Sequence, residues 1–227
     1  MAHPLQAIRY LHHGDTISFQ QISEFLPDNP VIIEAGADTG VHTELMSSVW
    51  PNSTIYAFEP VPAQYQKLQN RFRGRESQIK VFPFALGSLS EKKNFYVSGQ
   101  TGATGTQSSS LLAPQQATVE YDFVPFHQEN EIEVEVITLD DFFREHAPEV
   151  TQVDFMWLDL QGYESEAISG AMNMIKAVSA IHLEVSQIEL YDGQPLYPEI
   201  KDQLRGLGFG ARIEAIFRVG GNVLFVK

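Results

Sequence analysis

Several apolar runs in this sequence end on an acid. "VIIEAGADTG" carries Glu34, "TIYAFEP" carries Glu59, "VDFMWLDLQG" carries Asp159 and "AIHLEVS" carries Glu184. A short apolar run bounded by turn residues forms a buried strand. Its terminal acid then stands at the strand's carboxyl end, which is where open α/β sheets hold their ligands. A carboxylate placed there accepts hydrogen bonds from hydroxyl groups or takes a proton as a general base.

Gly36 and Gly40 follow Glu34 in the bend after the first of these strands. Glycines there let backbone approach a ligand closely, and N–H groups at the start of the next helix face its anionic part. A dinucleotide-binding turn reads G-x-G-x-x-G. The string Gly36-Ala37-Asp38-Thr39-Gly40-Val41 supplies only the first and fifth positions, which counts against a nucleotide-dependent oxidoreductase. Glu59, closing the second strand, is placed to accept both hydroxyls of a ribose. Glu34 and Glu59 together fit a nucleoside-containing ligand without a pyrophosphate.

These residues need a sheet to bring them together. Residues 1–29 predict a helical preface, with Ile8, Leu11, Ile17, Phe19, Ile22, Phe25 and Leu26 only loosely periodic. From Val31 strands and helices alternate: "VIIEA", then the helix "VHTELMSSVW", then "TIYAFEP", then the helix "PAQYQKLQNRFR", then "IKVFPFAL" as a third strand. "KNFYVSG" and "NEIEVEVITL" alternate apolar and polar residues, as half-buried antiparallel strands do. Between them the Gly/Ser/Thr run from Ser98 to Ser110 is either a surface loop or a lid over a ligand. The α/β rhythm resumes at "VDFMWLDLQG", followed by a helix "YESEAISGAMNMIKA", the strand "AIHLEVS" and a helix around "LYPEIKDQLRGLG". "ARIEAIFRV" and "NVLFVK", joined by Gly220-Gly221, predict an antiparallel hairpin at one edge. The expectation is one α/β domain over residues 30–227, with a mostly parallel sheet covered on both faces and a β-rich insertion at about 88–137.

Composition sets limits on partners. The chain has 227 residues, 43% hydrophobic, with a formal net charge of −14 and a pI near 4.8. No cluster of Lys and Arg supplies the positive footprint that phosphate or an anionic membrane requires, so neither nucleic acid nor membrane is expected as a partner. An acidic surface is compatible with a homo-oligomer. The chain has no cysteine, which excludes disulfides, thiolate metal sites and a cysteine nucleophile. No run reaches the roughly 18 apolar residues of a spanning helix, and the N-terminus lacks an apolar signal core. The expected compartment is the cytoplasm.

Seven motifs, in this order, resemble those of the FkbM family of S-adenosylmethionine-dependent methyltransferases. They are "EAGADTG" from Glu34, "AFEP" from Ala57, "FALGS" from Phe84, "SSL" from Ser109, "ITLDDF" from Ile137, "WLDLQGYE" from Trp157 and "HLEVS" from His182. The resemblance spans roughly residues 30 to 227 and implies a Rossmann-like class I methyltransferase fold. The family more often has Asp where this chain has Glu34, Asn at Asp38, Lys at Trp157 and Glu at Gln161. The first two exchanges keep their hydrogen-bonding capacity, whereas Trp157 and Gln161 flank the expected reacting position and bear on the acceptor.

The resemblance implies S-adenosyl-L-methionine as cofactor and a hydroxyl of a sugar or secondary metabolite as acceptor, a small molecule or a glycan. It implies that the Gly36–Gly40 bend, with Ala37 and Asp38, holds the methionine half, that Glu59 binds the ribose, that Phe84 and Ala85 border the adenine, and that Glu34 and Pro60 also belong to the cofactor site. Transfer from a sulfonium is an in-line displacement in which the protein positions the partners and excludes water. Asp159 is the first candidate beside the methyl, as base, amine anchor or metal ligand, against a reading as cap of the helix near Tyr163. Glu184 and Glu164 are further catalytic candidates, although an acid in a helix's first turn is favoured without any function. His42 lies near the cofactor or caps its helix, His182 suits a packed core, and His127 lies in the insertion within reach of an acceptor. Tyr121, Phe123 and Phe126 either line an acceptor pocket or cover the sheet. Apart from any cofactor contact of Asp38, the acids Asp38, Asp140, Asp141 and Asp192 are expected mostly on the solvated surface, with Asp140-Asp141 starting the helix "DDFFREHA". No metal motif of fixed spacing is present, so the sequence leaves metal dependence open. A non-catalytic nucleoside-binding module is the alternative function.

Overall fold

Strands that are apolar at consecutive positions have to be buried on both faces, and here they form the centre of a seven-stranded sheet. The computed structural model describes residues 17–98, 108–115 and 126–227, with backbone alone for 126–130. β1 (Val31–Ala35) lies between β2 (Thr54–Phe58) and β7 (Val153–Leu158), parallel to both. β3 (Ile79–Phe82) extends the sheet beyond β2, and β8 (Val178–Ser186) extends it beyond β7, again in parallel. β10 (Gly220–Val226) runs antiparallel between β8 and β9 (Gly210–Ile216), giving the order β3-β2-β1-β7-β8-β10-β9. Strand order reverses on either side of β1 and β7, which makes their carboxyl ends the place for a ligand.

Helices cover both faces. α1 (Phe19–Ser23), closed by a capping box between Ser18 and Gln21, joins α2 (Val41–Val49) and α3 (Pro62–Arg71) on one face. There Ile22, Met46 and Leu68 pack with Ile32, Ile55, Phe155 and Leu224. α4 (Leu139–His146), α5 (Glu164–Ser169) and α6 (Tyr197–Gly206) cover the other face, where Phe142, Ile168 and Leu204 meet Ile33, Met156, Ile181 and Val223. Phe142 stands edge-on to Phe58 and Phe82 with ring centres 4.7 Å apart in each case, and each such pair adds about 0.5–1.5 kcal/mol beyond area burial.

A second sheet of order β4-β6-β5 stands beside the first. It is formed by β4 (Ala85–Leu86), β5 (Glu91–Ser98) and β6 (Phe126–Ile137). The expected third strand "IKVFPFAL" is therefore two strands in two sheets. Pro83 lies at the break, where it lacks the N–H that would continue the ladder. The alternating segments pair antiparallel as β5 and β6, and Ile137 marks the end of the second sheet.

Further local expectations change. The C-terminal strands pair antiparallel as expected, but the last strand inserts beside β8, so that β9 forms the edge. Gly220 and Gly221 are residues of β10 and not the turn, because a Cβ on Gly221 would overlap the Ala215 carbonyl of the neighbouring strand. The helix expected from Tyr163 to Ala177 stops at Ser169 and resumes only as a 3-10 turn, Met174–Ala177. Gly170 lies at the interruption, against the Gly87 carbonyl that follows β4. Thr138, not Asp140, caps α4 by accepting the Asp141 N–H at 3.0 Å, while the Asp140 carboxylate accepts the N–H groups of Asn173 and Met174, each at 2.8 Å.

Gly170→Ala places a methyl group against the Gly87 carbonyl, where backbone and not a flexible side chain has to give way. The expected loss is about 1–3 kcal/mol, read as a lower midpoint in urea unfolding followed by circular dichroism.

Candidate active site

At the carboxyl ends of β1, β2 and β7 the chain bends away from the sheet and leaves a cavity of about 350 Å³, a volume in the range of small-ligand clefts. Two backbone joints shape it. The N–H groups of Gly36 and Ala37 both donate to the Phe58 carbonyl, at 3.1 and 3.0 Å, and the Asp159 N–H donates to the Ala35 carbonyl at 3.0 Å. Gly36, at φ 85°, lies so close to Asp159 that a Cβ would overlap its carbonyl oxygen. Asp38, at φ 45°, also takes the left-handed conformation, which Asp tolerates better than most residues.

Glu59 ends β2 with both carboxylate oxygens fixed. Oε1 accepts the Val61 N–H and Oε2 the Asp38 N–H, each at 2.8 Å. Burial raises its pKa to about 7, against the pull of those two N–H groups. The Asp38 carboxylate accepts from Gln64 Nε2 at 2.9 Å. Pro60 and Val61 continue this wall, and Phe84, Ala85 and Leu86 face it from the start of the second sheet. Phe95, Leu111 and Tyr163 close the apolar end.

The other end is polar. Asp159, Gln161, Glu184 and Asn222 line it, with Trp157 and His42 beside them. Strand register explains this grouping. Glu34, Trp157, His182 and Leu224 are successive cross-strand partners on β1, β7, β8 and β10. Glu184 and Asn222 are partners one pleat nearer the cleft, on the same face as His182 and Leu224. Trp157 lies flat on His182, ring centres 3.8 Å apart and 10° from parallel, and His42 approaches the same indole at 4.8 Å.

Most expected site residues meet in this one cleft. Gly36, Ala37, Asp38, Glu59, Pro60, Phe84, Ala85, Asp159 and Glu184 line it. Three others stand behind the wall. Glu34 is buried on the α2 side of the sheet, Gly40 is packed on Leu68 and Phe72, and Glu164 turns back so that Oε1 accepts the Leu160 N–H at 2.8 Å. His182 is buried beneath Trp157 and not among the lining residues. The N-cap position of α5 is Tyr163, whose side chain makes no cap bond, and Asp159 lines the cleft. Tyr121 and Phe123 lie outside the described residues, as do most of the Gly/Ser/Thr run and the side chains of Phe126 and His127. Asn222, Phe95 and Tyr163 were not foreseen. For Asn222 and Phe95 the signal is pairing across strands, and for Tyr163 it is the start of α5 packed against the second sheet, neither of which one-dimensional spacing carries. Among the described residues no group of three His, Asp or Glu is arranged to hold a metal ion, and no helix is long and apolar enough to cross a membrane.

Acids line the cleft, and among the described residues neither Lys nor Arg does. Burial, with Asp159 adding to the effect, pushes Glu34 up to about 8. Burial followed by the charges of Asp159 and Glu164 pushes Glu184 to about 8, and burial takes Glu164 to about 7. Burial of His182 moves its pKa the other way, down to about 3. Carboxyls with raised pKa leave the folded state holding more protons than the unfolded chain between their ordinary value near 4.5 and their folded value. Their stabilising contribution is present below pH 4.5 and is lost as pH rises through about 8. His182 opposes this only up to its ordinary value of 6.5. Calorimetric melting of the ligand-free protein is therefore expected to show a falling midpoint from pH 6.5 to about 8.5, with a shallower fall in Glu34→Gln.

The model of the methyltransferase FkbM domain matches residues 34–210. The chain is 28% identical over 211 residues to the 2-O-methyltransferase NoeI of Sinorhizobium fredii, covering 82% of this chain and 84% of that protein. It is 26% identical over 195 residues to Methyltransferase 1 of Beauveria bassiana, covering 83% and 75%. The crystal structure of an FkbM methyltransferase from Methylobacillus flagellatus superposes with a TM-score of 0.58 at 16% identity. That match covers 99% of this chain and 50% of the other, so this chain spans half that protein's length. At such identity the superposition speaks for the fold, and the family match extends over most of the chain. With its parallel sheet, its antiparallel last strand and a cleft at the ends of β1, β2 and β7, this chain belongs to the FkbM family of methyltransferases.

Proposed function

We propose that the protein transfers the methyl group of S-adenosyl-L-methionine to a hydroxyl of a sugar or small secondary metabolite. The observation that carries this reading is Glu59. It is a buried carboxylate at the end of β2, oriented by two backbone N–H groups and facing the cleft. Two oxygens so fixed retain free lone pairs for the two hydroxyls of a ribose. The rest of the wall fits the same ligand. Phe84, Ala85, Phe95 and Leu111 form an apolar slot for a flat base, and the Gly36–Gly40 bend offers close backbone to the amino-acid half. A cleft with acids and, among the described residues, no lining Lys or Arg also suits a cofactor that is cationic at sulfur.

When bound, the cofactor supplies a methyl group already activated on a sulfonium. The chain's own residues then have three tasks. Glu59 and the slot fix the nucleoside, while Trp157 and His42 form an apolar shoulder that excludes water beside the transfer site. Asp159 and Glu184 stand at the acceptor end, where an ionised carboxylate accepts the hydrogen bond of an approaching hydroxyl and takes its proton as the carbon–oxygen bond forms. The 2-O-methyltransferase among the relatives supports oxygen as the target atom. An oxidoreductase and a non-catalytic binding module have no support among these relatives.

Calorimetric titration with S-adenosylhomocysteine tests the cofactor. Binding is expected for the wild type with no response to NAD. Glu59→Ala is expected to weaken it by about 10- to 100-fold, the size of hydrogen bonds to a buried charged group. Preference for NAD, or an unchanged affinity in a folded variant, would sink the assignment.

A further inference from the structure

Gln161 adopts φ 52°, a left-handed conformation that a non-glycine residue in an ordinary turn avoids. The turn directs its carboxamide between the two acids at the acceptor end. Nε2 donates to Asp159 Oδ1 at 2.7 Å and to Glu184 Oε2 at 2.8 Å. The Tyr191 hydroxyl lies 3.2 Å from Gln161 Oε1 and 2.8 Å from the Ser108 carbonyl, and so fixes which way the amide faces. The main-chain carbonyl of Gln161 accepts from Ser110 Oγ at 2.9 Å. Ser110 pairs in turn with Tyr96 of β5, and Pro114 pairs with Tyr191. The segment 108–115 thus sits on this turn and carries Ser109 and Leu111 into the cleft wall.

An amide nitrogen has two hydrogens, bears no charge and does not titrate. Two carboxylates that each receive one of its hydrogens are held in one mutual orientation. We infer that Gln161 is a positioning residue for methyl transfer, which locks Asp159 and Glu184 together and ties their orientation to the seating of segment 108–115. This rests on the cofactor reading proposed above. The titratable groups around the pair are Glu164 from the start of α5, Glu34 from β1, Tyr191 from the segment after β8 and, beside Trp157, His42 on α2. In that setting burial and the neighbouring acids push Glu184 upward, and the bond from Gln161 acts in the opposite direction. Loss of the amide therefore raises the pH at which the pair becomes fully ionised.

The test is calorimetric titration of the full chain with S-adenosylhomocysteine across about pH 6.5–9, with melting recorded at each pH to confirm folding. The ligand's ammonium group favours an ionised pair, so wild-type affinity is expected to rise through the Glu184 transition. Gln161→Leu is expected to move the midpoint of that rise upward by about one pH unit, tenfold in proton affinity. Tyr191→Phe, which removes the contact orienting the amide together with the bond to the Ser108 carbonyl, is expected to move it less in the same direction. Should Gln161→Leu fail to fold, this variant carries the test. Ser110→Ala, which loosens the seating of segment 108–115 on the turn, is expected to lower affinity and to move the midpoint upward by less than Gln161→Leu does. A folded Gln161→Leu whose profile falls in parallel with the wild type, or a wild-type profile flat across the range, overturns the inference while leaving the cofactor reading intact. Absence of any wild-type binding overturns both.

Discussion

The Asp159 N–H donates to the Ala35 carbonyl across the ends of β7 and β1, at 3.0 Å. Beside it the N–H groups of Gly36 and Ala37 share the Phe58 carbonyl of β2. These bonds prolong the parallel ladders by one step past the last strand residues. They hold three strand ends at one level, so the bends that follow emerge side by side. Gly36 is required there because any side chain would displace the Asp159 carbonyl. The cleft, the direction of Glu59 and the place of Asp159 all follow from this splice. Loosening it would move the Glu59 wall and the Asp159 wall of the cleft relative to each other.

The acids around the cleft share one electrostatic condition. Taking a carboxylate out of water costs several kcal/mol unless hydrogen bonds or opposite charge offset it. Among the described residues no Lys or Arg lines this cleft, and the offset comes from backbone N–H groups and from amides. Glu59 and Glu164 are each held by two main-chain donors, whereas Glu184 relies on Gln161. The acids are therefore not equivalent. The first two are fixed by turns that the fold already needs. The third depends on a side chain that an ordinary turn would not place.

The second sheet gives the cleft its apolar end. Pro83 turns the chain out of the main sheet after Phe82, and Ala85 and Leu86 then pair with Val136 and Ile137. This places Phe95 of β5 and the segment 108–115 opposite the end of β2. An insertion that in sequence interrupts the α/β rhythm is in space the wall facing the glycine bend. Gly87 and Gly170 let α5 approach it closely enough to bring Tyr163 into the same wall.

Much of the architecture was legible in residue order alone. The consecutive apolar residues of Val31–Ala35, Thr54–Phe58 and Val153–Leu158 require burial on both faces, and that forces a parallel sheet with helices on each side. Acids at the ends of those runs had to stand at the sheet's carboxyl edge, so Glu59, Asp159 and Glu184 could be named from their spacing to glycine and strand. Other features depend on distance in three dimensions. Glu34 and Glu164 carry the same chemistry as the cleft acids, yet the pleat sends one under α2 and the first turn of α5 folds the other back onto Leu160. Asn222 reaches the site only because β10 inserts antiparallel beside β8, a choice made by packing between segments far apart in the chain. Periodicity reports which face of an element is apolar. It does not report which element lies next to it, and at this site the neighbour decides whether a carboxylate meets a ligand or a backbone amide.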